Sequence, residues 1–230
     1  MLVDTVLAQL AVERPVFHSE ADFQHALAWL VHRHMPDARI RLETHPAPGV
    51  RLDLLITSGT GSQCTAIELK YLTRSWAGEV NGEHFALKSQ GAQDIRAYDV
   101  VKDIARVEAD THLLPACDGL VVVLCNDQAY WTTPGHDRDT NAAAFRLYEG
   151  RTLAGTCDWG PNTGPGTKRG RESPITLHGS YSMHWRDYSR APGPAGQFRA
   201  LTVEVPSPDF SADQSPQPVA QVDGTLQLPR

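Results

Sequence analysis

The chain has 230 residues, with 21 Lys and Arg against 27 Asp and Glu, for a formal net charge of −6. This length suits one compact domain followed by a tail, because domains commonly run to about 100–200 residues. The negative total excludes a protein that coats nucleic acid through bulk electrostatics, although a local basic rim around an acidic site stays compatible with it.

The sequence predicts a cytoplasmic protein with no membrane partner. No apolar stretch reaches the roughly 18 residues that a membrane-spanning helix needs, and Met1–Leu10 lacks the basic start of a signal peptide. The cysteines show neither CxxC spacing nor the density of a disulfide scaffold, so we expect reduced thiols, most of them in the core, at Cys64, Cys117, Cys125 and Cys157.

The first elements are two helices and a strand. Apolar residues at helical spacing predict a helix over Leu2–Glu13. A second helix begins at Ser19, whose S-x-x-D pattern with Asp22 is close to a capping box, and it ends before Pro36. Alternating apolar and polar residues predict the first strand over Ala38–Glu43.

Two apolar segments around a glycine-containing turn predict a β-hairpin. The strands are Val50–Ile56 and Cys64–Leu72, and Ser58–Ser62 is the turn. With the turn centred on the middle of that segment, Asp53 lies opposite Glu68, where the Cβ atoms of paired residues are roughly 5 Å apart.

Two facing carboxylates repel each other unless a positive group lies between them. A hard divalent cation fits, and Mg²⁺ is expected here, with Mn²⁺ as a substitute, because both prefer oxygen ligands. Lys70 shares the face of Glu68 and is placed to act on water or phosphate. The alternative is an exposed sheet face with a cross-strand Glu–Lys pair, but the apolar neighbours Leu54 and Leu69 favour a buried one.

The middle of the chain predicts a β-α-β crossover. Gly78–Gly91 is expected to be irregular, and a long amphipathic helix follows over Ala92–Ala109, with Asp103 and Arg106 among its polar residues. The continuous apolar run Asp118–Cys125 predicts a central strand covered on both faces.

The last third predicts fewer elements. A short helix is expected over Asn141–Glu149, a Gly- and Pro-rich loop over Gly150–Pro174, and a final strand over Phe198–Val205. The aromatic residues Tyr181, Trp185 and Tyr188 have helical spacing, which favours core packing over base stacking. We expect one domain over residues 1–205 and an unpacked tail rich in Pro, Ser and Gln over 206–230.

The order of Asp53 on one strand and Glu68-Leu69-Lys70 on the next resembles the PD-(D/E)xK nuclease superfamily. The resemblance covers roughly residues 18–125, where helix, three-stranded meander, helix and strand follow in the same order. It implies an α/β fold with a restriction-endonuclease-like three-layer core, in which helices flank a mixed central sheet. Arg51-Leu52 stands where the family name puts proline, a position that varies.

The resemblance implies a metal-dependent nuclease, or nuclease-like phosphodiesterase, that hydrolyses nucleic acid with water activated by Mg²⁺. Asp53 and Glu68 would hold the metal, and Glu20, in the first turn of the second helix, would add a third acid. Lys70 would act on the attacking water or the phosphate. A second hypothesis is a catalytically inactive protein of the same fold that binds nucleic acid or protein. The helix dipole alone also favours an acid at Glu20.

The resemblance implies nucleic acid as the partner, with DNA favoured over RNA. Homodimer formation is a further alternative. Polar and basic residues outside the acidic patch are candidates for contacts with the phosphate backbone: Arg74, Gln93, Arg96, Lys168 and Arg169. Charged helix and loop residues are also ordinary solvated positions.

Overall fold

The computed structural model of the chain describes residues 2–207 except 62, 115 and 136–139. Within these residues the helices are α1 (Leu2–Glu13), α2 (Glu20–His34), α3 (Gln93–Leu113) and α4 (Pro165–Lys168). The strands are β1 (Arg39–Thr44), β2 (Leu52–Thr57), β3 (Cys64–Leu72), β4 (Trp76–Val80), β5 (Glu83–Leu87), β6 (Cys117–Cys125), β7 (Thr152–Cys157), β8 (Ile175–Ser182), β9 (Trp185–Arg190) and β10 (Gln197–Val205).

The fold is mixed α/β, with a mixed six-stranded sheet at its centre. Its strand order is β1-β2-β3-β6-β10-β9, while β4–β5 and β7–β8 form two separate hairpins. Strands β1, β2 and β3 make an antiparallel meander, and β3 pairs with β6 in parallel. Because α3 lies between β3 and β6 in the chain, the predicted β-α-β crossover is confirmed.

Apolar side chains cover both faces of the central strands. On one face, Leu69 of β3 and Val122 of β6 pack in a cluster with α1 and α2. On the other face, Val121 and Val123 pack in a cluster with α3. Two polar residues of β3 contact α3, and of these Glu68 is buried and Lys70 is half-buried.

The meander agrees closely with the sequence prediction. Helix α1 has the predicted bounds, and the Ser19 side chain caps α2 by accepting a hydrogen bond from the amide of Asp22. The β2–β3 register runs from Leu54 opposite Ile67 to Thr57 opposite Cys64, so the hairpin is centred as predicted. Residue 62 of the predicted turn lies outside the described residues.

The predictions of an irregular segment and of a short helix in two parts of the chain were wrong. The segment Gly78–Gly91 holds most of the β4–β5 hairpin, whose turn is Asn81-Gly82 with both φ angles positive, at 54° and 80°. Buried apolar side chains at Phe85 and Leu87 hold this hairpin against the core. Only a single 3₁₀ turn, Ala143–Phe145, forms where a longer helix was expected.

The predicted loop Gly150–Pro174 was also partly wrong, because it contains β7, which pairs with β8. The aromatic residues Tyr181, Trp185 and Tyr188 are buried, as the core interpretation predicted. They belong to β8 and β9 rather than to a helix, because β7 and β10 supply hydrogen-bonding partners that the local pattern does not reveal.

The prediction that all four cysteines are reduced was wrong. Cys64 and Cys117 form a disulfide, because the parallel register of β3 and β6 puts them opposite each other with Cα atoms 4.5 Å apart. Cys125 and Cys157 are buried free thiols. None of the described helices is long and apolar enough to cross a membrane. From residue 208 onwards, the predicted tail lies outside the described residues.

Gly119 of β6 lies in close contact with α3. A Cβ atom built there would collide with the Val107 side chain and lie 3.0 Å from Cβ of Val205. We expect Gly119→Val to lower the free energy of unfolding by about 3 kcal/mol, the upper end for overpacking. Urea denaturation measures this loss, and Gly91→Val, where nothing lies within 4 Å of the added Cβ, should change stability far less. Equal stability of the two variants would contradict the close packing.

Candidate active site

The β2–β3 ladder ends at the pair Leu54–Ile67, and the two strands separate beyond it. The predicted pair of Asp53 and Glu68 would be the next position of this register, one residue beyond the end of the ladder. At this point the Asp53 carboxylate turns towards β3, where its Oδ2 accepts a hydrogen bond of 2.7 Å from the backbone N–H of Leu69. A carboxylate thus replaces the missing strand partner of that amide.

Glu20 reaches the same edge of β3 from the first turn of α2. Its Oε2 accepts a hydrogen bond of 2.9 Å from the backbone N–H of Tyr71, two residues beyond Leu69. Although the Glu20 residue as a whole is exposed, desolvation of its carboxylate against β3 raises its pKa, and the nearby Lys70 ammonium offsets part of that effect. The structure therefore brings the predicted third acid alongside Asp53.

Gln24, one turn after Glu20 in α2, fixes the position of β2 at this point. Its Nε2 donates to the backbone carbonyl of Asp53 at 2.7 Å and to Oε1 of Glu43 at 3.0 Å. Because the Gln24 side chain is buried, these two hydrogen bonds hold the backbone of Asp53 against α2.

Glu68 is the most deeply buried acid of the site, with 1 % of the residue exposed. One oxygen pairs with the guanidinium of Arg106, while Oε1 is buried and accepts no hydrogen bond from any described residue. Burial and then the charge of Asp53 raise the pKa of Glu68 to about 8, against the opposing effect of Arg106. An unsatisfied buried carboxylate oxygen is costly unless a ligand or proton occupies it.

Lys70 is held by two oxygen atoms. Its Nζ lies 2.9 Å from Oδ2 of Asp103 and donates to the backbone carbonyl of Leu69 at 3.0 Å. Burial alone would lower the pKa of Lys70, but the carboxylates of Asp103 and Glu20 outweigh it and raise that pKa. Lys70 is therefore a positioned ammonium group at neutral pH and not a proton acceptor.

Two residues of α3 complete the site, although the sequence indicated them only as polar residues of an amphipathic helix. Asp103 is buried, and Arg106 bridges it, at 3.0 Å, to Glu68. One signal was available: Asp103 falls three residues after Val100 and four before Val107, both fully buried, so helical periodicity puts it on the buried face.

We call these six side chains the charged cluster: Glu20, Asp53, Glu68, Asp103, Lys70 and Arg106. When all are ionised, the cluster has two more negative than positive charges, which a single divalent cation would balance. Carboxylate and carbonyl oxygens are also the ligands that Mg²⁺ prefers. In the arrangement described, however, no three His, Cys, Asp or Glu residues come together closely enough to hold a metal ion. The donor chemistry and the charge fit Mg²⁺, and Arg106 occupies one of the oxygens that it would need.

The residues predicted to contact nucleic acid lie outside the charged cluster. Gln93 donates to Asp127, and Arg96 pairs with Asp99 at 3.2 Å. The remaining three are Arg74, exposed after β3, and Lys168 and Arg169, at the end of the short helix α4. Among the described contacts, none of the five joins a member of the cluster.

Comparison of the sequence with protein-family models, with curated proteins and with solved structures finds no match, so the chain's own residues carry the argument about its function.

Proposed function

We propose that the protein is a metal-dependent nuclease, or nuclease-like phosphodiesterase, with a restriction-endonuclease-like core and DNA favoured over RNA as its substrate. One observation carries the proposal. Glu20, Asp53 and Lys70 each contact the backbone of β3 between residues 69 and 71, directly beside the buried Glu68. The acids and the lysine that were singled out on sequence order thus lie along the same short stretch of β3.

Asp53 and Glu68 would hold the metal, with the carbonyl of Leu69 as a neutral ligand and Glu20 in support. A bound Mg²⁺ supplies an activated water and neutralises charge on the phosphate. The unpartnered Oε1 of Glu68 is an oxygen available for this role. The other Glu68 oxygen becomes available when Arg106 turns away, and the Arg106 side chain is 37 % exposed, so it has room to move into water.

Lys70 contributes a fixed positive charge to the reaction. Because the carboxylates around it keep it protonated, it stabilises negative charge on the phosphate and orients the attacking water. Asp103 acts on the substrate only through Lys70, since its carboxylate holds the ammonium in place at 2.9 Å. Asp103 is therefore a positioning residue.

One observation favours a second candidate function. The two cations of the cluster already pair with Glu68 and Asp103, so the acids are partly neutralised by the protein itself. Such internal pairing would suit a catalytically inactive protein of the same fold that binds nucleic acid or another protein. Metal binding distinguishes the two candidates.

The proposed activity predicts that the protein cleaves labelled DNA or RNA oligonucleotides when Mg²⁺ or Mn²⁺ is present. It predicts no cleavage when a chelator removes the cation. Asp53→Asn should weaken metal binding, measured by calorimetry, at least tenfold, and cleavage should fall with it. Asp37→Asn, which changes an exposed acid in the turn before β1, is the control and should leave both unchanged.

Two results would overturn the assignment. Cleavage that persists in chelator, or in Asp53→Asn at the wild-type rate, would show that another site is responsible. A protein that binds no divalent cation and cleaves nothing would favour the second candidate.

A further inference from the structure

A polar cleft of about 820 Å³ lies where β3 and β6 end. It is lined by Arg74 and Ser75, which follow β3, and by Asn126 and Gln128, which follow β6. Arg190, the last residue of β9, and the loop between β9 and β10 also line the cleft. The cleft lies outside the charged cluster and shares no residue with it.

The cleft is positively charged although the chain is acidic overall. Arg74 and Arg190 both line it, and no Asp or Glu occurs among the described residues of its wall. Neither guanidinium group makes an ion pair or hydrogen bond with the described part of the chain. Some other exposed arginines have a carboxylate partner, as Arg33 has in Glu13 at 2.7 Å. Arg190 also borders a neighbouring pocket that contains Asp4 and Asp187. Two arginines without a carboxylate partner at the wall of one cleft are suited to bind an anion.

Hydrogen bonds within the protein hold the walls of the cleft in place. The buried side chain of Asn126 accepts a hydrogen bond of 2.7 Å from the amide of Arg74 and donates to the carbonyl groups of Arg74 and Ala195. It thus ties the segment after β3 to the β9–β10 loop. The indole of Trp76 donates to Pro192 of the same loop at 2.9 Å. The backbone that carries Arg74 and Arg190 is therefore fixed before any ligand binds.

Trp131 gives the cleft an aromatic surface. Trp131 lines the cavity and is half-buried. Its indole packs at 5.7 Å from that of Trp185, and the guanidinium of Arg199 lies over the ring at 5.8 Å from its centroid, so both fix its orientation and leave the remaining ring surface for a base. A half-exposed indole beside unpaired guanidinium groups is the combination that proteins use to bind single-stranded nucleic acid, because a base stacks on the ring while the cations bind its phosphates.

The cleft is within reach of the charged cluster. Arg74 follows Lys70 by four residues, so their Cα atoms are no more than about 14 Å apart. An oligonucleotide held in the cleft would extend to Lys70 over a few nucleotides.

We propose that this cleft binds a single-stranded segment of nucleic acid, with Arg74 and Arg190 on its phosphates and Trp131 against a base. The inference rests on the proposed function for its substrate class and deepens it, because it selects unpaired strands over duplexes. A duplex buries its bases in the stack and presents none to Trp131.

Fluorescence anisotropy with a labelled eight-nucleotide single strand, in chelator so that no cleavage occurs, tests the cleft. We expect the double variant Arg74→Gln/Arg190→Gln to bind at least tenfold more weakly, with a smaller dependence on salt. Trp131→Ala should weaken binding of the single strand severalfold or more. Arg39→Gln, which removes an exposed charge on the edge strand β1 at the other side of the sheet, is the matched control and should bind like the wild type.

A duplex of equal length and inorganic phosphate, used as competitors, identify the ligand. Displacement by unlabelled single strand at tenfold lower concentration than by duplex supports the proposal. Displacement by phosphate as effective as that by the strand overturns it, as does wild-type affinity in the double variant. Binding of the single strand without cleavage would refute the nuclease activity but not the proposed binding in the cleft. Cleavage with an unchanged KM in the double variant would refute only the proposed binding in the cleft.

Discussion

Lys70→Met is expected to lower the rate of metal-dependent cleavage by about 10²–10³-fold, the loss typical when one positioned charge-stabilising donor is removed. Methionine keeps the length of the buried side chain, and Asp103 retains Arg106 as a partner, so the fold should persist. Because Lys70 is not a metal ligand in the proposed site, Mg²⁺ affinity should not weaken. The loss should therefore appear in kcat and not in metal affinity.

Single-turnover cleavage and calorimetry on the same preparation separate these effects. Lys102→Met is the matched control, because this lysine precedes the buried Asp103 on α3 but its own side chain is exposed. A Lys70→Met protein that cleaves at the rate of the Lys102→Met protein would rule out a catalytic charge at Lys70. A parallel loss of Mg²⁺ binding would instead show that Lys70 serves to build the metal site.

The second large effect concerns pH and stability. The pKa of Glu68 is about 8 in the folded protein, against an ordinary value of 4.5 that the unfolded chain should approach. The folded protein therefore binds an extra proton between these values, so this contribution to stability is complete below about pH 4.5 and is lost as the pH rises towards 8. For the metal-free protein, we expect the free energy of unfolding to fall by roughly 1 kcal/mol per pH unit across the upper part of that window.

Thermal or urea unfolding at pH 6, 7, 8 and 9 measures the decline. Glu68→Gln, which cannot ionise, should remove most of it, while Glu204→Gln, at an exposed position on β10, should retain it. Saturating Mg²⁺ should also flatten the wild-type curve, because the metal stabilises the ionised carboxylate. A decline of equal slope in Glu68→Gln would assign the effect to another group.

Much of the meander was predictable because its signals are local. Alternating hydrophobicity marks β2 and β3, and a short glycine-containing turn sets their register, so Asp53 and Glu68 could be paired before any tertiary contact was considered. The cap at Ser19 likewise marks the start of α2 and places Glu20 in its first turn.

The disulfide and the β7–β8 hairpin could not be predicted in this way. Cys64 and Cys117 are 53 residues apart and become neighbours only through the parallel pairing of β3 with β6. The strand that contains Tyr181 follows a Gly- and Pro-rich segment, and its partner β7 lies within the stretch that composition marks as a loop.

By itself, the sequence determined the order of the strands in the meander and the register of the hairpin. It also identified three acids and one lysine as candidates for a shared site. Only the tertiary structure decided that Asp103 and Arg106 of α3 close over Glu68 and Lys70. It also decided that the β3 and β6 ends form a cleft with the β9–β10 loop. The physical reason is range: hydrogen bonds of turns and caps join residues a few positions apart, whereas burial of a charge depends on which distant elements pack around it.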